Sequence, residues 1–151
     1  MTQNILQLRD FTPSDRELFL GMATDFFTSP ALLHPLEKTV LERTWEETVS
    51  GNGRLRGLFL ECDGHTAGFA LVTFYWSTEV GGLTVHTEDL YILPEFRGQK
   101  LGECFFRWLE QEYPAARRFA LEVTDENPAQ RLYSRLGYRV LEYRHMIREP
   151  N

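Results

Sequence analysis

An apolar run from residue 83 to residue 93 ends at Pro94, and a basic, glycine-bearing turn leads from it into a helix. This is the feature that most limits what the chain can become. The residues are Glu88-Asp89-Leu90-Tyr91-Ile92-Leu93-Pro94-Glu95-Phe96-Arg97-Gly98-Gln99-Lys100-Leu101-Gly102. No Ser, Thr, Asp or Asn in the turn is placed to cap the helix, so its first backbone N–H groups are free to bind an anion. The run has no clear polar face, which implies cover on both sides. A carboxylate inside such a strand is unusual without a purpose. Neighbouring strand residues point to opposite faces, so Glu88 and Asp89 reach one site only if the strand is bulged. A later helix ends at Gly137 and carries Tyr133 on an apolar face with Ala129, Leu132 and Leu136. The combination suggests a phosphate-bearing ligand lying along a strand, with a phenol beside it.

The rest of the chain alternates in the same way. Ile5, Leu6 and Leu8 suggest a first strand. Pro13-Ser14-Asp15 opens a helix with Leu18, Met22 and Phe26 as its buried stripe. Residues 28–35 read as a loop, and residues 36–49 as a second helix ended by Gly51-Asn52-Gly53. Residues 55–62 and 66–77 are strands around an Asp63-Gly64 hairpin turn. Gly81-Gly82 leads into the strand at 83–93, which makes a three-strand meander. The third helix spans about 98–112, with Leu101, Phe105, Trp108 and Leu109 inward and Cys104 as a small packing residue. A strand follows at 119–124. A fourth helix is capped by Asn127, with Pro128 in its first position. A final strand is expected at about 138–147.

Composition narrows the function. A chain of 151 residues, 42% hydrophobic, fits one domain with a proper core. A net charge of −6 argues against a nucleic-acid binder and mildly favours a cationic small substrate. Cys62 and Cys104 form no CxxC pair, residues 1–10 have no signal-peptide core, and the longest apolar stretch is too short to span a bilayer. These observations favour a cytoplasmic protein with no membrane partner. His34, His65, His86 and His145 are scattered and form no metal motif, so no metal is expected.

The motifs resemble the GNAT superfamily of acetyl-CoA-dependent N-acetyltransferases. The family's pyrophosphate loop reads Arg/Gln-x-x-Gly-x-Gly/Ala. Arg97, Gly98 and Gly102 fit it, while Lys100 stands at the middle glycine. Asn127, Ala129, Leu132, Tyr133, Gly137 and Tyr138 follow the family's later segment, with Asn127 and Ala129 one residue closer than usual. The Glu-Asp-Leu-Tyr-Ile strand looks most like the diamine and polyamine branch. The specific motifs cover about a third of the chain. The resemblance implies an α/β (α+β) fold over residues 1–151: a single domain whose mixed, mostly antiparallel sheet is flanked by about four helices and splays at strand 4. It implies acetyl-CoA as cosubstrate. The pantetheine would pair with the backbone of Leu90, Tyr91 and Ile92. The pyrophosphate would meet Gly98, Gln99, Lys100, Leu101 and Gly102 beside Arg97, and Asn127 would touch the pantetheine arm. The acceptor would approach near the loop around residues 25–34.

Chemistry supports the same roles. An alkylamine has a pKa of about 10.4, so a base must take its proton before attack on a thioester. The tetrahedral oxyanion needs an N–H donor, and the departing thiolate needs a proton. Glu88, the N–H near Leu90 and Tyr133 fit these needs, with Asp89 binding the acceptor's charge. Bland readings stand beside them. Glu88 and Asp89 could be solvated strand ends, Tyr133 a packed core tyrosine, and Asn127 a helix cap worth about 1 kcal/mol. Lysine at position 100 can hold helical φ/ψ with its amide still donating. The expected function is acetylation of a small primary amine, polyamine-like by first choice. Protein or peptide N-terminal or lysine acetylation is the alternative, and a CoA-binding sensor without turnover is the reading from another class. A homodimer is the commonest closed assembly.

Overall fold

Five strands lie side by side in chain order. The structure, a computed structural model, describes residues 6–28 and 35–150. Strands β1 (Leu6–Asp10), β2 (Leu55–Cys62), β3 (His65–Ser77) and β4 (Gly82–Ile92) form an antiparallel meander. Strand β5 (Arg118–Leu121) adds parallel to β4, after the crossover through α3 that a parallel neighbour needs. The described helices are α1 (Arg16–Phe27), α2 (Lys38–Val49), α3 (Leu101–Glu112) and α4 (Gln130–Arg135).

Both faces of the sheet are covered, which is why β2 and β3 read as nearly continuous apolar runs. Alternate residues go to opposite sides. Phe59, Phe69, Leu71 and Tyr91 join Phe19, Met22 and Phe27 of α1 and Leu41 and Trp45 of α2. Leu58, Leu60, Ala70, Val72 and Val85 meet Phe105, Phe106 and Leu109 of α3 on the other face, with Tyr133 and Leu136 of α4 at its margin. Each fully buried phenylalanine contributes about 2–3 kcal/mol of transfer free energy before entropy is charged against it. Gly68 lets β3 and β4 approach closely within the core, since a Cβ there would run into the Tyr91 carbonyl.

Several local expectations are corrected. Met22 of α1 is buried as expected, but its buried companions are Phe19, Leu20, Ala23 and Phe27; Leu18 is exposed and Phe26 only partly buried. The segment is apolar at adjacent positions, so sequence spacing alone leaves the face open. A single 3-10 turn at Pro13–Asp15 precedes α1. Cys104 is exposed and does not pack in the core. Helix α3 begins at Leu101, because Gly98 (φ 78°) and Lys100 (φ 61°) are left-handed. Lys100 therefore does not hold the helical φ/ψ expected of it. Helix α4 begins at Gln130, since Asn127 and Pro128 belong to the tight turns before it. No strand forms over residues 138–147, where Val140, Tyr143, Met146 and Ile147 are exposed. The expected strand residue Ile5 and most of the expected loop at 28–35 lie outside the described residues.

Candidate active site

The sheet opens because β5 is short. Its parallel ladder with β4 runs from Thr84↔Arg118 to Thr87↔Leu121 and stops. Strand β4 continues five residues further, to Ile92, paired with β3 alone. Beyond Thr87, the β5-facing backbone edge of β4 therefore has no ladder partner. A cleft of about 720 Å³ fills the gap. It is lined by β4 from Thr87 to Ile92, the turn before α3, the segment after β5 and α4.

The register between β3 and β4 contains a bulge. Leu71 pairs with Asp89 and Val72 pairs with Thr87, which leaves Glu88 as the extra residue. Leu71 belongs to the α1 side of the sheet and Val72 to the α3 side. Residues directly opposite one another in a ladder share a face. Asp89 thus shares the α1 side with Leu71, and His86 shares it with Thr73. Glu88 bonds to Thr73 and His86, so the bulge brings both carboxylates to one face.

The two carboxylates sit in different surroundings. Glu88 Oε1 accepts from Thr73 Oγ1 at 3.1 Å and lies 3.1 Å from His86 Nδ1. The bond with His86 lowers the Glu88 pKa and raises that of His86. The Asp89 carboxylate has no hydrogen bond or ion pair among the described residues. Burial, followed by the charge of Glu88, pushes its pKa up to about 7, while His86 opposes the rise. The Tyr75 ring, 47% exposed, stands edge-on to His86 at 6.4 Å and extends this face outward.

Tyr133 approaches from α4. Its ring packs edge-on against Phe106 at 5.5 Å, and burial raises the pKa of its hydroxyl. Tyr133 thus packs in the core margin and lines the cleft at once.

At the far end of the cleft, Lys100 occupies the N-cap of α3 and makes no capping bond. Cys104 N–H is the first to reach an intrahelical carbonyl, that of Lys100 at 3.1 Å. The amides of Leu101, Gly102 and Glu103 have no partner among the described residues, and the N-terminal end of the helix dipole favours an anion there. Arg97 turns back toward β4. Its Nε donates to the Ile92 carbonyl at 2.9 Å, and its guanidinium lies 5.8 Å from the Tyr91 ring centre. Gly98 supplies the left-handed turn, and Gln99 leads from it to Lys100. Gly102 faces the packing side instead: a Cβ there would touch Leu132, Leu90 and Ile92. Asn127 Oδ1 accepts from Ala129 N–H at 2.8 Å in a turn ahead of α4, whose N-cap is Ala129, so Asn127 lies on the cleft wall and does not cap the helix as expected. Leu90, Tyr91 and Ile92 line the cleft between the two ends.

A long phosphate ester fits this cleft. The open amides would face its anionic end, and the open edge of β4 would face its length. The Thr87 hydroxyl, buried and without a partner, lies at the other end.

Sequence reading missed Glu122 and Glu126, which line the cleft beyond β5. The one available signal for Glu122 was a carboxylate directly after an apolar strand. Thr73, which holds Glu88 together with His86, becomes visible only through the ladder, whereas His86 stands two residues before Glu88 on the same strand. The approach at residues 29–34 lies outside the described residues. Among the described residues no group of three His, Cys, Asp or Glu side chains comes together as a metal site, and no helix is long and apolar enough to cross a membrane.

Comparison with known proteins gives a consistent picture. The model of the acetyltransferase (GNAT) family matches residues 19–138. A protein of Bacillus subtilis (strain 168), named as a proposed ribosomal protein bS18 alanine N-acetyltransferase, is 37% identical over 83 residues. That match covers 53% of this chain and 51% of the relative, so the chain spans about half the length of the curated relative it matches. The crystal structure of a possible acetyltransferase from Clostridium difficile 630 superposes with a TM-score of 0.83 at 14% identity, covering 97% of this chain and 99% of the other. The structure of AAC(6')-Iy with a CoA bisubstrate analogue superposes with a TM-score of 0.76 at 18% identity, covering 97% and 99%. At these identities the two structures speak for the fold alone.

Proposed function

This chain belongs to the acetyltransferase (GNAT) family, and from that premise we propose that it is an acetyl-CoA-dependent N-acetyltransferase acting on a small primary amine, polyamine-like by first choice. The observation that carries the reading is the cleft between β4 and β5. It joins the uncapped α3 amides at one end to paired carboxylates and a phenol at the other.

In this reading, the amides of residues 98–102 and Arg97 bind the pyrophosphate. The open edge at Leu90, Tyr91 and Ile92 pairs with the pantetheine, and its N–H near Leu90 faces the thioester oxygen. Asn127 orders the wall that the pantetheine passes. The Glu88 and Asp89 pair holds the cationic acceptor, and one of its carboxylates accepts the proton, Glu88 by way of water in the sequence reading, so that the amine attacks the thioester directly. Tyr133, whose hydroxyl pKa is raised by burial, donates to the departing sulfur. The small-amine reading is supported by two carboxylates on one face and by the net charge of −6.

A second reading has its own support. The 37% identity to a proposed alanine N-acetyltransferase favours an N-terminal amine on a protein. Release of thiol from acetyl-CoA, measured across diamines, polyamines, aminoglycosides and peptides with N-terminal alanine, separates the two. Turnover on the small amines is expected. Turnover on the peptides alone would replace the first reading with the second, and no turnover on any amine would remove both. A cytoplasmic homodimer completes the proposal. The sheet edge at β5 and the exposed apolar residues near the C-terminal end supply a surface for a second copy.

A further inference from the structure

Within the carboxylate pair, we propose that Asp89, and not Glu88, takes the proton from the acceptor amine. Glu88 instead holds the acceptor's charge from its place between His86 and Thr73. This inference rests on the acetyl-transfer reading above.

The geometry separates the two groups. Glu88 already shares one oxygen between His86 and Thr73, and the bond with His86 favours its charged form. A carboxylate held charged in this way is a weak proton acceptor. Asp89 is the opposite case. The bulge turns it to the same face, it lines the cleft, and no described residue donates to it. Its own strand places Glu88 and His86 beside it, and α1 contributes the Phe26 ring to the cleft. The other charged groups of the cleft are Arg97, Lys100 and Glu103 at the α3 end, Glu122 and Glu126 beyond β5, and Arg135 on α4. Burial and the Glu88 charge together bring Asp89 to about 7, the range in which a base serves best at neutral pH.

The step balances. An N–H bond of the ammonium breaks and an O–H bond forms on Asp89. The freed lone pair forms the C–N bond, the C–S bond breaks, and its electron pair stays on sulfur. Tyr133 gives its proton to that sulfur and regains one from the nitrogen by way of water. Asp89 returns its proton to solvent, so one proton is released in each turnover.

The test compares Asp89→Asn with Glu88→Gln, using putrescine as acceptor. Asp89→Asn is expected to lose at least tenfold in kcat at pH 7. Its kcat/KM should then climb about tenfold per pH unit, following the neutral fraction of the amine. Glu88→Gln is expected to raise KM for putrescine and to keep the form of the wild-type pH profile, with its acid limb moved to lower pH because the Glu88 charge no longer raises the Asp89 pKa. The reverse pattern, or a wild-type profile in Asp89→Asn, would overturn the assignment.

A thermal arm needs no substrate. An acid whose folded pKa is raised stabilises the fold fully below its unfolded pKa and loses that contribution as pH rises through about 7. Asp89→Asn should therefore melt higher than wild type at pH 8, with the gain vanishing toward pH 4. Equal melting at pH 8 would contradict the half-buried, poised carboxylate. Absence of wild-type turnover on every amine tested would instead overturn the acetyl-transfer reading, and the thermal arm would still report on Asp89.

Discussion

Position 100 shows how one residue departs from its surroundings. The turn into α3 needs a left-handed backbone there, and lysine supplies it at φ 61°. For an L-residue that conformation costs about 1–2 kcal/mol, and glycine recovers most of it. Glycine also enlarges the unfolded ensemble, which takes back about 0.4–1 kcal/mol. Lys100→Gly is therefore expected to stabilise the fold by roughly 0.5–1 kcal/mol, read from the urea midpoint. The same variant should bind CoA more weakly at low salt, and the loss should shrink as salt is added, if the ammonium lies near a phosphate. An unchanged midpoint would mean that the turn is unstrained, and an unchanged affinity would leave Lys100 passive. Tyr133 is the second residue whose role is separable. Tyr133→Phe keeps the contact with Phe106 and removes only the hydroxyl. It should lower kcat on the order of tenfold or more while leaving CoA affinity intact, because the lost bond forms mainly in the transition state. Equal turnover by the two proteins would return Tyr133 to a packing role.

Strand β4 is the element on which the site depends, and its junction with β3 is the point to probe. Gly68→Ala would drive a methyl into the Tyr91 carbonyl, so the ladder must shift. A loss of roughly 2 kcal/mol or more in chemical denaturation is expected, in the range of other overpacked cores. Gly21→Ala, where a Cβ meets nothing within 4 Å on helix α1, should be neutral or gain up to about 1 kcal/mol. Comparable losses in both would argue against the close approach. Much of the element order was legible because period-2 apolar runs and glycine turns are local signals. The Asp63-Gly64 turn and the meander it begins are examples. The bulge at Glu88 was only a condition in the sequence, since an extra residue leaves no mark until the partner strand is known. The end of β5 at Leu121, which opens the cleft, was hidden by Val123, which prolongs the apolar pattern. The expected strand at 138–147 failed for the opposite reason. Its apolar residues satisfy a local pattern, but none of the described strands pairs with it.

At the scale of the whole molecule, one core packs on each face of the sheet, and the short fifth strand leaves a cleft where a long ligand can enter. The binding end and the carboxylate end belong to the same cleft, so the central claim can be tested before any acceptor is known. The direct measurement is titration calorimetry of the full chain with CoA. One CoA bound per chain is predicted, with affinity that falls as ionic strength rises, because phosphate charge is read by backbone amides and basic side chains. No detectable heat and no thermal shift at millimolar CoA would contradict the account from the cleft upward.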